Sequence, residues 1–589
     1  MCGIFGYVGE QMQVGDAVLH ALKRLEYRGY DSWGVAVGVN GHISVRKQPG
    51  KIAATTVDLP PSDIGFGHTR WATHGGVTQD NAHPHLDCSG CIAVIHNGII
   101  ENFRSLRDEL IARGHRFRSE TDTEVVAHLL EEETRKPGAD IAAALARVFS
   151  RLEGLSAIIA LDLRSRSLVA AKNVSPLVVG VGPRGCAIAS DALALCGHAE
   201  KIAYLEDHHL VRLHRTGLAC FDRRTMEPIT PSFVPLTVDS REVDLNGYPH
   251  FMAKEMAEQP DVLDRIATTG EPAIRTLAQA ISESYGTFFV GCGTASYAAL
   301  SGAYLFSRIA ARHVNFVVGS EFKYHEHFLT PHSLVVALSQ SGETADVIEA
   351  MIAARRRGAR LGALVNVPQS TLDRMVDLRV HLNAGPEQCV LSTKAYTAKV
   401  AVLLLTAHAL RGTYDEGAKL VRLAAEGLRW MLSDGWLDRL REVAHAIYQA
   451  EHLYIIGRGL SYPTALEAAL KIKEVSYIHA EGFAGGELKH GVIALIAPGT
   501  PCVVYAPNDE TRADILSGAM ELKSRGGYII GISPASDPVF DVHLPTPDVG
   551  DAAPLVQALP AQMLGYHAAL LRGNDPDKPR NLAKSVTVK

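Results

Sequence analysis

The segment FFVGCGTASYAAL at residues 288–300 has a near copy later in the chain, YIIGRGLSYPTAL at residues 454–466. Gly291 matches Gly457, so the two copies are 457 − 291 = 166 residues apart. Each copy has the pattern of a buried strand, a glycine turn and a helix, and further strand–helix units follow both. The repeat predicts two related α/β domains, each built on a doubly wound parallel sheet.

A second pair of matching segments shows where the two copies differ. LVVALSQSGETADVIEAM at residues 334–351 aligns with CVVYAPNDETRADILSGAM at residues 502–520. A phosphate is bound by N–H groups and hydroxyls that converge on a helix N-terminus, and only the first copy has a hydroxyl-rich loop between strand and helix. Gly342 lets the backbone of this loop approach closely, and the absence of a following GKS or GKT excludes a nucleotide P-loop. The candidate phosphate ligands of this loop are Ser339, Gln340, Ser341 and Thr344.

The N-terminal part of the chain has a different pattern. Short apolar runs such as WGVAVGV and IAVIHNGII are broken by turns, which predicts a mixed sheet with a few helices. The segment 231–256, PSFVPLTVDSREVDLNGYPHFMAKEM, loses both the strand and the helix periodicity and marks a boundary. We expect domains at 2–220, 266–420 and 435–575, a boundary region with linker at 221–265, and a C-terminal tail at 576–589.

The composition is that of an ordinary globular enzyme. Hydrophobic residues make up 47%, charged residues 21%, and the formal net charge is -6, which argues against a nucleic-acid binder and against a disordered chain. No apolar run reaches the ~20 residues of a membrane span, and MCGIFGYVGE lacks the basic start of a signal peptide. With nine cysteines in no framework spacing, we expect a cytoplasmic protein with reduced thiols.

One cluster superficially resembles a metal site. The segment HPHLDCSGC contains His83, His85, Cys88 and Cys91, but it lacks the second, distant pair of ligands that a closed zinc site usually has. Asp87 to Cys91 has instead the pattern of a turn before the strand CIAVIHNG. We therefore expect no metal and no cofactor.

Cys2 is the first candidate for chemistry. Removal of the initiator Met leaves its thiol beside a free α-amino group with a pKa of ~8, which can act as the base that deprotonates the sulfur. By itself, Cys2 is better explained as a small residue that opens a strand. The downstream motifs supply the other groups that glutamine hydrolysis needs. Arg70 can bind an α-carboxylate and Asp122 an α-ammonium group, while Asn97 and Gly98 can form an oxyanion hole.

Taken together, MCGI, YRGYDS, HTRWATHG, NAHPH, HNGIIEN and SETDTE resemble the class II glutamine amidotransferase domain. The resemblance implies an N-terminal-nucleophile fold of αββα layers and the roles just described. It also implies that Trp71, Thr73, His74 and His83 line the glutamine site or its lid. Trp33 stands where this family more often has a small residue; core packing is the favoured explanation, and a lid or tunnel contact is the alternative.

In the second half, Glu467, Lys471 and Glu474 are spaced i, i+4 and i+7, so they share one face of a helix. Exposed salt bridges are the usual explanation of such spacing. However, AEGFAGGELKHG, which contains His490, follows at once, and the chain ends in KPRNLAKSVTVK, which contains Lys584.

GCGT before SQSGET resembles the sugar isomerase (SIS) domain. The later segments resemble the isomerase domain of the glucosamine 6-phosphate synthase family, the isomerizing glutamine:fructose-6-phosphate aminotransferases. This resemblance implies that Glu474 moves a proton between C1 and C2, His490 opens the sugar ring, Lys584 forms a Schiff base and Lys471 assists. It further implies phosphate or sugar contacts from Thr294, Val390 and Ser392. Where the family usually has CGTSY, Ala295 removes a hydroxyl and Ser296 offers one instead; Val492 replaces a common proline.

The implied substrates are L-glutamine and D-fructose 6-phosphate, and the implied product serves hexosamine synthesis. A homodimer is expected by analogy, without nucleic-acid or membrane partners. Other class II amidotransferases need a nucleotide or diphosphate loop that we do not find. A sugar-phosphate sensor has no use for the glutaminase residues, and a deglycase acting on an amino-sugar phosphate has no need of a glutaminase domain.

Overall fold

The computed structural model describes residues 2–10, 13–52, 55–136, 138–236 and 244–587. The chain divides into two compact units. The first comprises Met1–Asp244 together with Ala583–Lys589, and the second comprises Leu245–Leu582. The division lies within the segment that loses its periodicity, part of which, 237–243, lies outside the described residues.

The first unit contains two sheets, and every described pairing between their strands is antiparallel, whereas a mixed sheet was expected. The eight-stranded sheet has the order β15-β11-β9-β10-β1-β4-β2-β3, and the seven-stranded sheet β14-β13-β12-β8-β7-β6-β5. The strands are β1 (Gly3–Gly9), β2 (Ser32–Val39), β3 (His42–Pro49), β4 (Ile64–Arg70), β5 (His85–Leu86), β6 (Ile92–Gly98), β7 (Ser156–Asp162), β8 (Ser167–Asn173), β9 (Val178–Gly182), β10 (Gly185–Ala189), β11 (Lys201–Tyr204), β12 (His209–His214), β13 (Gly217–Asp222), β14 (Pro228–Ile229) and β15 (Val234–Pro235).

Helices cover the outer faces of both sheets. They are α1 (Val14–Arg24), α2 (Phe103–Ala112), α3 (Glu124–Thr134) and α4 (Ile141–Phe149), with short 3-10 helices at Glu26–Arg28 and Ala192–Leu195. Strand β1 shows why the layers form, because side chains alternate across a sheet. Ile4 and Val8 pack between the two sheets, whereas Phe5 and Tyr7 pack toward α1. A third core lies between the seven-stranded sheet and α2 to α4. The predicted αββα arrangement is therefore confirmed.

The second unit contains two five-stranded parallel sheets of matching topology, with orders β17-β16-β18-β19-β20 and β22-β21-β23-β24-β25. The first sheet consists of β16 (Gly286–Gly291), β17 (Asn315–Val318), β18 (Ser333–Ser339), β19 (Arg360–Val365) and β20 (Leu378–His381). The second consists of β21 (His452–Gly457), β22 (His479–Ala484), β23 (Pro501–Tyr505), β24 (Tyr528–Ser533) and β25 (Val542–Pro545).

Helices lie on both faces of each sheet, as continuous burial of strands such as β18 requires. They are α5 (Phe251–Ala257), α6 (Gln259–Thr269), α7 (Glu271–Glu283), α8 (Thr294–Ala310), α9 (Ala345–Arg356), α10 (Thr371–Met375), α11 (Lys394–Arg411), α12 (Tyr414–Met431), α13 (Asp434–Ile447), α14 (Ser461–Ser476), α15 (Arg512–Lys523) and α16 (Ala553–Leu571). Short 3-10 helices occur at Gly319–Tyr324, Glu326–Phe328, Gly485–His490, Val492–Leu495 and Gly550–Ala552. The two predicted doubly wound α/β domains are confirmed.

The paired glycine turns explain the internal repeat. A Cβ on Gly291 would lie 2.7 Å from the Ala295 carbonyl carbon, and one on Gly457 would lie 2.3 Å from the Ser461 carbonyl oxygen. In both copies the strand therefore has to end in glycine for the next helix to pack closely against it. Among the described helices, none combines the length and the apolar character needed to span a bilayer.

Candidate active sites

Cys2 directly precedes β1, and its thiol is held against the end of β4. The backbone N–H of Trp71 donates to Cys2 Sγ at 3.2 Å. Burial raises the pKa of this thiol, although the Trp71 N–H and the Arg70 guanidinium act in the opposite direction. Because the sulfur is mostly protonated at neutral pH, a nearby base is needed to generate the thiolate nucleophile.

The Asn97 side chain is fixed in one orientation. Its Nδ2 donates to the Cys2 carbonyl at 2.8 Å, and its Oδ1 lies 3.1 Å from His68 Nε2. His68 Nε2 also lies 3.0 Å from the His96 carbonyl. Since both neighbours of His68 Nε2 are acceptors, this nitrogen carries the proton and donates to Asn97. Burial lowers the pKa of His68 to about 3, so the ring stays neutral and the amide N–H groups of Asn97 stay directed toward Cys2.

Gly98 adopts a backbone conformation that requires glycine. Its φ is 136°, and a Cβ would lie 1.9 Å from the Leu155 carbonyl oxygen. Only glycine therefore fits beside Asn97 at the end of β6.

Arg70 is buried, with 3% of its surface exposed, and it supports the loop that follows β4. Its guanidinium donates to the carbonyls of His74, Gly75 and Gly76. Burial lowers the pKa of Arg70, whereas the nearby Cys2 and Asp122 raise it. Asp122 is likewise buried, and its Oδ2 accepts the Ile100 N–H at 2.8 Å. A cation and a carboxylate are thus both fixed near Cys2, as binding of an α-amino acid requires.

The four further residues implied for the glutamine site differ in exposure. His83 is buried, and its ring centroid lies 4.2 Å from that of His68. Trp71 and His74 are half-buried, and Thr73 is exposed. Of these four residues, only His83 is buried. Trp33 is 1% exposed within the core under α1, so the expectation of core packing is confirmed.

Three positioning contacts escaped the sequence analysis. His68 orients Asn97 as described, and Asp31 Oδ2 accepts the Ala72 N–H at 2.8 Å. Asn81 and Glu120 hold the loop after Arg70, because Asn81 Nδ2 donates both to the Gly76 carbonyl and to Glu120. All four residues lie inside the motifs quoted above, and their polar character within otherwise buried segments was the available signal.

The candidate phosphate loop follows β18. The Gly342 N–H donates to Ser339 Oγ at 2.9 Å, and the Glu343 N–H donates to Ser341 Oγ at 3.1 Å. Gly342 has a φ of 68°, and a Cβ there would lie 2.0 Å from Ser370 Oγ. Thr344 is the N-cap residue of α9, and Gln340, directly after β18, is half-buried. The loop therefore directs hydroxyls and the positive end of a helix dipole to one place.

The other candidate sugar-phosphate ligands in the first repeat copy differ in their hydrogen bonds. Thr294 Oγ1 donates to Glu467 Oε1 at 3.2 Å, whereas Ser296 Oγ donates to the Gly293 carbonyl at 2.7 Å. The Ser296 hydroxyl would have to rotate before it could donate to a phosphate. The Val390 N–H donates to the Asp577 carbonyl at 3.1 Å. The Ser392 Oγ atom is buried, and no hydrogen bond to it is found among the described residues.

The face of α14 that carries Glu467, Lys471 and Glu474 is not an exposed salt-bridge face. The side chains of Glu467 and Lys471 are each 1% exposed, and that of Glu474 is 20% exposed. Lys471 Nζ lies 2.6 Å from Glu474 Oε2 and 3.6 Å from Glu467 Oε1. Burial raises the pKa of Glu467 to about 7 despite the attraction of Lys471. Burial opposes the charge of Lys471, but the two carboxylates outweigh it and raise the pKa of this lysine. Shifted pKa values such as those of Glu467 and Lys471 cluster at functional sites.

His490 and Lys584 lie on different segments from this helix. His490 is exposed at the end of the 3-10 helix Gly485–His490. Lys584 is half-buried at a bend of the C-terminal segment, which clusters with the first unit. The second unit itself therefore supplies the α14 group, the phosphate loop and His490.

Comparison with known proteins agrees with the division of the chain into two compact units. Residues 68–197 match the glutamine amidotransferase domain, and residues 281–409 and 446–572 each match the SIS domain. The chain is 41% identical to the glutamine–fructose-6-phosphate aminotransferase [isomerizing] of Thermococcus kodakarensis and 42% identical to that of Zymomonas mobilis, with 100% of each chain covered. A solved structure, the C-terminal domain of glucosamine-fructose-6-phosphate aminotransferase from Francisella tularensis, matches 57% of this chain and 100% of its own, with a TM-score of 0.53 and 30% identity.

The fold and the domain matches together define the class of protein: a glutamine amidotransferase domain joined to tandem SIS domains. Full-length identity narrows the class further. The chain belongs to the family of isomerizing glutamine–fructose-6-phosphate aminotransferases.

Proposed function

We propose that this enzyme converts D-fructose 6-phosphate and L-glutamine to D-glucosamine 6-phosphate and L-glutamate, the first step of hexosamine and UDP-N-acetylglucosamine synthesis. The observation that carries the proposal is the presence of both sites in one chain. Cys2 with its oriented Asn97 fits glutamine hydrolysis, and the buried group on α14 with the phosphate loop fits sugar isomerisation.

In the glutaminase half-reaction, Arg70 and Asp122 bind the α-carboxylate and α-ammonium groups of glutamine. Trp71, Thr73, His74 and His83 surround the substrate. Cys2 attacks the side-chain amide carbon, ammonia leaves, and water hydrolyses the resulting thioester to glutamate. Asn97 and Gly98 stabilise the oxyanion of the tetrahedral intermediates. This assignment is supported by the fixed orientation of Asn97 and by the burial of Arg70 and Asp122.

In the sugar half-reaction, His490 opens the ring, and the Lys584 amine condenses with the C2 ketone and releases water. Ammonia from Cys2 then replaces the lysine at C2. Glu474 removes a proton from C1 and returns it to C2, which turns the ketose imine into an aldose amine. Lys471 Nζ lies 2.6 Å from Glu474 Oε2, so it holds this carboxylate in position and assists the proton transfer.

Sugar binding is assigned to the first SIS copy. Ser339, Gln340, Ser341 and Thr344 surround the phosphate at the N-terminus of α9, which favours an anion. Thr294, Ser296, Val390 and Ser392 complete the sugar contacts. The buried Ser392 Oγ supports this assignment, because a sugar hydroxyl would supply a hydrogen-bond partner.

Ammonia must pass from Cys2 to the sugar without equilibrating with water, because ammonium is not a nucleophile. We place the enzyme in the cytoplasm as a homodimer. The exposure of His490 supports a sugar site that a second copy completes. Light scattering of the purified chain tests the dimer.

The decisive experiment traces the amide nitrogen of glutamine into the amino sugar. With amide-¹⁵N-glutamine, fructose 6-phosphate and excess unlabelled ammonium, the amino sugar should carry ¹⁵N. A Cys2→Ala variant should lose glutamine-dependent synthesis and keep synthesis from added ammonia. Amino sugar formed from glutamine but not from ammonia by this variant would overturn the scheme.

A further inference from the structure

A group of metal-type ligands lies in the first unit, outside the residues of the proposed reaction. Cys88 Sγ, His115 Nδ1, His128 Nδ1 and a carboxylate oxygen of Glu131 all lie within 4.8 Å of one another. The side chains of the two histidines and Glu131 are at most 4% exposed, whereas Cys88 is exposed. The ligand atoms therefore surround a buried point that is open to solvent on the cysteine side.

The separations between these atoms fit a tetrahedral zinc ion. Zn–S bonds of ~2.3 Å and Zn–N or Zn–O bonds of ~2.1 Å give ligand-to-ligand distances of about 3.4 to 3.6 Å. Cys88 Sγ lies 3.7 Å from His115 Nδ1 and 3.6 Å from His128 Nδ1. Glu131 Oε2 lies 3.1 Å from His115 Nδ1 and 3.5 Å from His128 Nδ1. One sulfur, two imidazole nitrogens and one oxygen are the donor types that Zn²⁺ prefers.

The outer contacts of the histidines favour a metal over a network of hydrogen bonds. His115 Nε2 lies 2.9 Å from Glu132 Oε1, and His128 Nε2 lies 3.6 Å from Glu124 Oε1. Each imidazole thus faces a carboxylate on both nitrogens, which a neutral ring with one proton cannot satisfy. Two buried imidazolium ions with ring centroids 4.9 Å apart would repel each other. A cation between the Nδ1 atoms removes the conflict, and Glu132 then accepts the Nε2–H proton of His115, as the outer carboxylate does in many zinc sites.

The cysteine has a matching environment. The Arg116 N–H donates to Cys88 Sγ at 3.4 Å, and the Cys88 N–H donates to Glu131 Oε2 at 3.1 Å, so the thiol and the carboxylate are held side by side. We propose that Cys88, His115, His128 and Glu131 bind one structural zinc ion. Binding deprotonates the Cys88 thiol and releases that proton to solvent. The proposal departs from the expectation of no metal, and none of His83, His85 and Cys91 takes part.

The site has a consequence for glutamine binding. His115 and His128 flank the segment 119–124, which carries Asp122, and Cys88 follows His85, which lies 3.0 Å from Thr121 Oγ1. An ion would tie the two ends of this segment together and to the loop after β5. If Asp122 binds the ammonium group of glutamine as proposed above, loss of the metal should raise the KM for glutamine more than it lowers kcat.

The test measures metal directly. The full chain, freed of any affinity tag and passed over a desalting column after zinc addition, should retain about one zinc per chain by plasma mass spectrometry. After exchange for Co²⁺, it should show the intense visible bands of a tetrahedral site and a thiolate-to-metal charge-transfer band. Cys88→Ser should abolish the charge-transfer band, and the matched control Cys91→Ser should keep it.

A second variant separates metal binding from misfolding. Glu132→Gln leaves the four ligands in place, and we expect it to weaken zinc affinity by ~10-fold or more, because the outer partner of His115 loses its negative charge. Absence of stoichiometric zinc in the wild-type chain, or equal zinc and an unchanged cobalt spectrum in Cys88→Ser, would refute the site. Neither result bears on the amide-nitrogen experiment, so the two proposals fail separately.

Discussion

Replacing Asn97 by alanine tests the glutaminase site most directly. The substitution removes the Nδ2 donor held 2.8 Å from the Cys2 carbonyl and the Oδ1 acceptor of His68. We expect kcat for glutamine hydrolysis to fall ~10²- to 10³-fold. This corresponds to an activation barrier higher by about 3 to 4 kcal/mol, which is typical for loss of one oxyanion donor.

The fold should survive this change. His68 Nε2 keeps the His96 carbonyl, 3.0 Å away, as an acceptor, so no buried donor is left without a partner. The free energy of unfolding should therefore fall by only about 1 to 2 kcal/mol, the value of a lost buried hydrogen bond or two.

The assay compares two activities of the same preparation. Glutamate release should fall as stated, and amino-sugar synthesis from added ammonium should stay within about twofold of wild type, since it does not need the oxyanion hole. A decrease in glutamate release of less than tenfold, with the variant folded, would refute the role of Asn97. An equal decrease in both activities would point to misfolding instead.

Two further predictions concern the sugar half. Lys584→Arg should abolish amino-sugar synthesis and leave basal glutamine hydrolysis, because a guanidinium cannot form the Schiff base; unchanged synthesis would exclude this role. The pKa of Glu467 is raised from 4.5 to about 7, so the folded state binds one more proton than the unfolded state between these pH values. Stability should therefore fall as pH rises from 4.5 to 7, by about 3 kcal/mol at most. Glu467→Gln should remove this dependence of stability on pH. The measurement is the urea midpoint of the second unit's unfolding transition at several pH values. An identical pH profile in the variant and the wild type would contradict the raised pKa of Glu467.

Most of the fold could be predicted from the sequence, and the glutaminase residues remain a prediction that rests on its motifs. Repeated strand–glycine–helix segments indicate parallel α/β domains because local patterns decide those elements, and the motifs around Cys2, Arg70 and Asn97 are short and ordered along the chain. Helical spacing likewise indicated that Glu467, Lys471 and Glu474 share one face of α14.

The burial of the charged residues on α14 and the grouping of metal-type ligands around Cys88 depended on tertiary structure. Spacing cannot tell whether a helix face points to solvent, and only packing of α14 against α8 and α16 shows that Glu467 and Lys471 are buried and their pKa values shifted. The sequence places Cys88 beside His83, His85 and Cys91, but its ligand-like partners include Glu131, 43 residues away. Strand pairing and helix packing bring such distant residues together, and no local pattern records those distances.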